Sequence, residues 1–234
     1  MKIGILQCDQ VHEKFIAEHG LYSDMFTTLL HQVDAALTFA MYDVEHGELP
    51  SHVDAADAYL ITGSRHGVND NLPWITNLED FIRQLHAAQK KVIGICFGHQ
   101  LIAKALGGKV IKSPKGWGIG ISMNKITQQK PWMIPAQNEL NLLVSHQDQI
   151  VELPLGAQVL ASSDFCPFYM LQVSENLFTV QGHPEFSKAY SQALIEDRKD
   201  ILCKERSEEG LRSLDLNLDD KVTAKWIVNF LQSG

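Results

Sequence analysis

The stretch Val92-Ile93-Gly94-Ile95-Cys96-Phe97-Gly98-His99-Gln100 constrains this chain more than any other. Val92 to Ile95 is a short β-branched apolar run bounded by turn residues, which marks a buried strand. It meets Gly94-x-Cys96-x-Gly98, and a helix-like segment follows. That is the cysteine counterpart of the Gly-x-Ser-x-Gly nucleophile elbow, a sharp strand-to-helix turn that holds a reactive side chain exposed. Glycines flank the cysteine because side chains there would collide with neighbouring backbone in so tight a turn.

The segments around the elbow supply the sheet it needs. Ile3 to Leu6 reads as a first buried strand. From Leu21, the residues Met25, Leu29 and Val33 recur every fourth position and predict an amphipathic helix, and Ala36 to Tyr42 returns to strand character. A β-α-β unit of this kind requires a crossover and implies a parallel sheet. Ala58 to Ile61 is the next strand, and a helix from about Trp74 to Ala88 carries Leu78, Phe81, Ile82 and Leu85 on one face. After the elbow, Gln100 to Leu106 is helical and Gly107-Gly108 stops it. From Lys109 to about Ile150 the pattern predicts short strands and turns. Tyr169–Val173 and Leu177–Gln181, joined by Ser174-Glu175-Asn176, predict a hairpin. One helix is expected from about Ser187 to Lys204, and a last one from about Asp219 to Leu231. The expectation is one α/β domain over residues 1–234. It has a mainly parallel open sheet with helices on both faces, flavodoxin-like, and a small β-rich section after the nucleophile helix.

Composition narrows the partners. The net charge is −8 with no Lys/Arg run longer than two, so neither nucleic acid nor an anionic membrane is an expected partner. No apolar stretch approaches the ~20 residues of a membrane span. The apolar start Ile3–Leu6 breaks at Gln7-Cys8-Asp9, too early for a signal peptide. Cysteines 8, 96, 166 and 203 show no CxxC or framework spacing, so free thiols in a reducing cytoplasm are expected. No metal-ligand spacing is present, and no cofactor is expected.

A cysteine attacks as its thiolate, which a helix N-terminus favours and a base must help generate. The base that stands out is His183 in Gln181-Gly182-His183-Pro184-Glu185, immediately after a strong strand. In extended chain, positions i and i+2 point the same way, so Glu185 can accept the second imidazole N–H. Pro184 favours that extended conformation at His183. A nucleophile, a base and an orienting carboxylate make a triad. Both segments fall at the carboxyl ends of strands, where α/β sheets bind ligands.

Four motifs in order resemble one family, the class I (triad) glutamine amidotransferases, and especially the amidotransferase domain of GMP synthase. They are Gly94 to Gln100, Ala105-Leu106-Gly107-Gly108, Ser145-His146-Gln147-Asp148, and Gly182-His183-Pro184-Glu185-Phe186. The resemblance covers roughly residues 1 to 190, with 190–234 a C-terminal helical extension that covers a sheet edge or carries a subunit interface. It implies that Cys96 attacks the side-chain amide of glutamine to give a γ-glutamyl thioester and ammonia, with His183 as base and acid and Glu185 orienting it. It places an oxyanion hole at the Phe97 N–H plus a second N–H from Thr62-Gly63-Ser64. Family members often carry Gly-Gly-Pro where this chain has Gly63-Ser64-Arg65, so Gly63 and Ser64 both stand as the second donor. Gln100 matches a substrate contact, and Ser145, His146 and Asp148 match the cradle for the α-amino and α-carboxyl ends.

Three functions fit this reading. The first is a stand-alone glutaminase-type amidotransferase, or an ammonia-supplying subunit of a separate synthetase. The second is a γ-glutamyl peptidase or hydrolase, and the third a non-catalytic interaction module. An intact triad argues against the third. Oligomeric state is not readable from the sequence.

Overall fold

The computed structural model describes residues 1–233. Its first half builds the parallel part of one sheet. Strands β1 (Lys2–Gln7), β2 (Thr38–Asp43), β3 (Ala58–Ile61) and β4 (Lys91–Ile95) carry helices α1 (Glu13–His19) and α2 (Tyr22–His31) between the first two and α3 (Pro73–Ala87) between the last two. Helix α4 (Phe97–Ala105) leaves β4 through the single residue Cys96. Then come β5 (Lys109–Lys112), β6 (Gly118–Ile126), β7 (Glu139–His146), β8 (Asp148–Glu152), β9 (Ala157–Ser162), β10 (Met170–Val173) and β11 (Leu177–Val180). Three helices close the chain: α5 (Lys188–Asp197), α6 (Lys204–Ser213) and α7 (Asp220–Gln232).

The main sheet has nine strands in the order β2-β1-β3-β4-β11-β10-β9-β6-β7. From β2 to β11 the pairs are parallel, and beyond β11 they are antiparallel. β5 and β8 form a separate two-stranded ribbon. The alternation of side chains along the parallel strands builds one core on each face of that part of the sheet. Ile3, Ile5, Leu60, Ile93 and Ile95 face α2 and α7, whereas Leu6, Tyr59, Ile61 and Val92 face α3 and α4. Helices on both faces bury β1, β3 and β4 twice, which is why they read as apolar runs, whereas the edge strand β2 has no fully buried residue.

Four expectations change. Glu13–His19 is helical although it buries no residue, so it carried no apolar periodicity to detect. The region from Lys109 to Ile150 holds two long strands, β6 of nine residues and β7 of eight, which extend the main sheet. The helix expected from Ser187 to Lys204 stops at Asp197 and a separate helix starts at Lys204, with Ser187 capping the first through a hydrogen bond from the Tyr190 N–H to its side chain. The last helix does not cover a sheet edge. The edges are β2 and β7, whereas α7 lays Phe230 against Phe178 of β11, ring centroids 5.6 Å apart, in the middle of the sheet.

Candidate active site

β3, β4 and β11 are neighbours in the sheet and run parallel, so their carboxyl ends emerge side by side. Thr62-Gly63-Ser64, Cys96 and Gln181–His183 follow these three ends and meet, despite more than a hundred residues between the first and the last. Cys96 has φ 51° and ψ −97°, a conformation that costs an L-residue about 1–3 kcal/mol unless its surroundings enforce it. The two glycines allow that enforcement. A Cβ on Gly98 would stand 2.6 Å from the Ile61 carbonyl oxygen, and one on Gly94 would stand 2.7 Å from the Gly98 carbonyl oxygen. Phe97 opens α4, so its N–H has no intrahelical acceptor and is left at the turn.

His183 is fixed from three sides. Its backbone N–H donates to Leu143 O at 2.7 Å, its Nδ1 lies 2.6 Å from Glu185 Oε1, and the Phe186 ring stacks on the imidazole at 3.9 Å with an interplanar angle of 7°. With Nδ1 committed to Glu185, Nε2 is left for the sulfur. Burial opposes charge on this imidazole. The Glu185 carboxylate and the Cys96 sulfur outweigh burial and push the group up to about 10. Gly63 lies against this pair: a Cβ there would sit 2.8 Å from His183 Cε1 and 3.7 Å from Cys96 Cβ.

The loop after β3 is held as firmly. The Thr62 hydroxyl accepts from the Cys8 N–H at 2.9 Å and donates to the Gly63 carbonyl at 2.9 Å. Asp9 accepts from the Arg65 N–H at 2.7 Å and pairs with its guanidinium. Cys8, just after β1, is buried under this loop, and desolvation raises its thiol far above the ordinary range.

Cys96 opens into a cavity of about 600 Å³ whose walls include Ser64, Phe97, Gln100, Ser145, His146 and Asp148. All the expected site residues therefore gather here. Ser64 lines the cavity, whereas Gly63, His183 and Glu185 stand behind it. A second hollow of about 710 Å³ lies near Lys91 and Phe230, at the amino end of β4, and holds no nucleophile. His146 is buried, which pushes its imidazole down to about 4; its Nδ1 lies 3.1 Å from Asp148 O. A neutral imidazole donates there. Burial raises the Asp148 carboxyl, against the opposing pull of Lys112. Among the described residues no cluster of metal-binding side chains is found, and no helix is long and apolar enough to cross a membrane.

Three participants were not assigned from the sequence. Gln181 Nε2 points at Cys96 Sγ, 3.5 Å away, while its Oε1 accepts from Gln100 Nε2 at 3.0 Å. The i, i+2 rule that paired Glu185 with His183 also puts Gln181 on that side, two residues earlier. Trp117 and Arg198 line the cavity as well, the guanidinium carbon 5.4 Å above the indole ring.

Comparison with known proteins decides the family. The glutamine amidotransferase class-I model matches residues 21–199. The chain belongs to that family. A glutamine amidotransferase-like protein of Schizosaccharomyces pombe is 29% identical over 243 residues, 98% of each chain. Gamma-glutamyl peptidase 4 of Arabidopsis thaliana is 35% identical over 179 residues, covering 73% of this chain and 70% of that one. A crystal structure of a glutamine amidotransferase from Thermotoga maritima superimposes with a TM-score of 0.74 at 20% identity, covering 98% of this chain and 96% of that one. That likeness shows the fold: the class-I amidotransferase sheet with helices on both faces, as the motif order implied.

Proposed function

We propose that this class-I amidotransferase hydrolyses the γ-carboxamide of glutamine through a thioester on Cys96. The observation that carries the reading is the buried His183, held between the Glu185 carboxylate at 2.6 Å and the elbow cysteine. Its raised affinity for a proton lets it take the proton of Cys96 as the sulfur attacks. The thiolate attacks the γ-carbonyl carbon, and the carbonyl electrons move to oxygen. The oxyanion is met by the Phe97 N–H and the Ser64 N–H, with Gly63 as the side-chain-free spacer beside His183. Nε2–H then protonates the departing nitrogen, and ammonia leaves the γ-glutamyl thioester. The neutral imidazole takes a proton from water, the hydroxide adds to the thioester, and collapse returns glutamate, thiolate and imidazolium. Gln100, Ser145, His146 and Asp148 hold the α-amino and α-carboxyl ends.

A second reading rests on the size of the cavity. About 600 Å³ exceeds what glutamine fills, because pockets of ~300–1,000 Å³ usually enclose larger ligands. The same thioester chemistry on a γ-glutamyl peptide would release an amine in place of ammonia. Residues 1–234 act as one domain in the cytoplasm, a reading supported by four free cysteines. The ammonia goes to water or to a separate synthetase subunit. Ammonia and glutamate release from glutamine, and cleavage of γ-glutamyl dipeptides, are measured for the purified protein beside Cys96→Ser. Turnover that needs Cys96 supports the proposal. Turnover unchanged in Cys96→Ser overturns it. Glutamine hydrolysis that begins only when a synthetase is added assigns the chain as a subunit.

A further inference from the structure

Histidine rings that meet aromatic rings elsewhere among the described residues meet them steeply. Their centroids lie 5.0–6.2 Å apart and their planes cross at 56–70°. His183 and Phe186 lie flat on one another instead, with centroids 3.9 Å apart and planes 7° from parallel. Two neutral rings disfavour such a sandwich, because it sets one electron-rich face against another; they prefer offset or edge-on contacts at about 4.5–7 Å. A cationic ring reverses the preference. Positive charge is drawn to the face of an aromatic ring, most strongly where water is excluded. Both rings are buried, His183 at 5% exposure and Phe186 at 6%.

The Phe186 ring is itself wedged. Tyr190 of α5 stands edge-on to it at 4.8 Å and Tyr22 of α2 lies nearly parallel at 6.1 Å, with their hydroxyls 3.1 Å apart. Val11, Leu143 and Leu194 belong to the same apolar cluster. Glu185 and the Cys96 sulfur face the imidazole and favour its charge. Gly63, which lies against Cε1, has no side chain to add. His146 of β7 is kept neutral by burial, and burial raises the phenols of Tyr22 and Tyr190. None of these three brings a competing charge at neutral pH.

We infer that Phe186 is a positioning residue for the triad: its ring face holds the His183 imidazole flat and favours the imidazolium, the form that protonates the departing nitrogen. The catalytic meaning rests on the proposed Cys96 chemistry, whereas the stack itself does not. The inference also gives α5 a part in the site, because Tyr190 backs the ring that backs the histidine.

The test replaces Phe186 alone, in the full-length protein, by monofluoro- and trifluorophenylalanine. These keep the shape of the ring and deplete the electron density of its face, which is what attracts a cation. Nuclear magnetic resonance of the His183 ring nitrogens gives the titration midpoint without turnover, with His183→Asn assigning the signal. The midpoint is expected to fall in steps as fluorines are added. In Phe186→Leu it is expected to fall by about 0.5–1.5 pH units, a ~3- to 30-fold loss of proton affinity. The alkaline limb of kcat/KM for glutamine is expected to follow. A midpoint that does not move with fluorination overturns the inference, because a ring that only fills space is indifferent to the charge of its face. A midpoint that rises overturns it too, since it reports relief of burial alone. A stepwise fall in proteins that turn over no γ-glutamyl substrate, wild type included, supports the stack and overturns the Cys96 chemistry. The fluorinated proteins keep the core filled, so the test stands even where Phe186→Leu fails to fold.

Discussion

The side-chain amide of Gln181 faces the sulfur of Cys96 with its nitrogen, 3.5 Å away, and the orientation follows from a chain of donors. The Asp148 carbonyl can only accept, so the amide nitrogen of Gln100, 2.8 Å from it, is fixed on that side. The same nitrogen donates to Gln181 at 3.0 Å, which must therefore present its oxygen there and its NH₂ to the sulfur. Gln181 is fully buried, so this donor is not exchanged with water. Replacing it by the nearly isosteric Met removes a hydrogen bond to a charged sulfur, worth about 1.5–3 kcal/mol. Gln181→Met is expected to lower kcat/KM by ~10- to 100-fold and, because it leaves the buried Gln100 N–H without its acceptor, to cost about 1–3 kcal/mol in urea unfolding as well. Activity equal to wild type would show that the thiolate does not use this donor.

The proton on His183 sets the alkaline side of the rate profile. Its folded value is about 10, above the ordinary 6.5. The imidazolium that protonates the leaving nitrogen therefore persists through neutral pH and is lost only as pH rises through about 10. The same sign governs stability: the contribution of the charged pair is full below about 6.5 and fades as pH climbs towards the folded value. Glu185→Gln removes the carboxylate, and the alkaline limb of kcat/KM is expected to move to lower pH. An alkaline limb near 6.5 in the wild-type protein would contradict the buried ion pair.

The elbow depends on the lack of a side chain at 98. A methyl on Gly98 would meet the Ile61 carbonyl at 2.6 Å and the Ile61 Cβ at 2.9 Å, both rooted in a central strand. Backbone there cannot retreat cheaply, so Gly98→Ala is expected to cost ~1–3 kcal/mol in stability. It also tilts Cys96 away from Ser64, and kcat should fall more than KM rises. Urea unfolding and steady-state kinetics on the one variant read both effects.

Trp226 anchors α7 to the sheet. It is fully buried, and its indole N–H donates to the Pro135 carbonyl at 2.9 Å. Trp226→Ala is expected to cost about 3–5 kcal/mol in urea unfolding. A loss below 1 kcal/mol would mean that the helix is dispensable to the core.

Much of this arrangement was legible in the residues, for identifiable reasons. Strands β1, β3 and β4 are buried on both faces, so their apolar runs stand out, and the glycines beside Cys96 record the turn directly. His183 and Glu185 were paired by the alternation of extended chain, a local rule. Helix α1 was invisible because none of its residues is fully buried and Phe15 and Ile16 alone make too short an apolar pattern. The reach of Arg198 was invisible for another reason: it depends on where α5 docks, against Ile121 of β6 and Leu143 of β7 through Tyr190 and Leu194, and no local pattern encodes that placement. The roles of Gln181 and Trp117 likewise required β11 and β6 to be set beside the elbow. Contacts between distant segments carry the missing part.

The central claim is that a γ-glutamyl group becomes bonded to Cys96. The most direct measurement is acid quench of the working enzyme, offered glutamine and then γ-glutamyl-alanine, followed by intact-mass and peptide analysis. The account predicts a γ-glutamyl adduct on the peptide containing Cys96, absent in Cys96→Ser and accumulating more in variants that slow hydrolysis of the thioester. Product formation by Cys96→Ser at the wild-type rate, or turnover with the adduct on another residue, would contradict it.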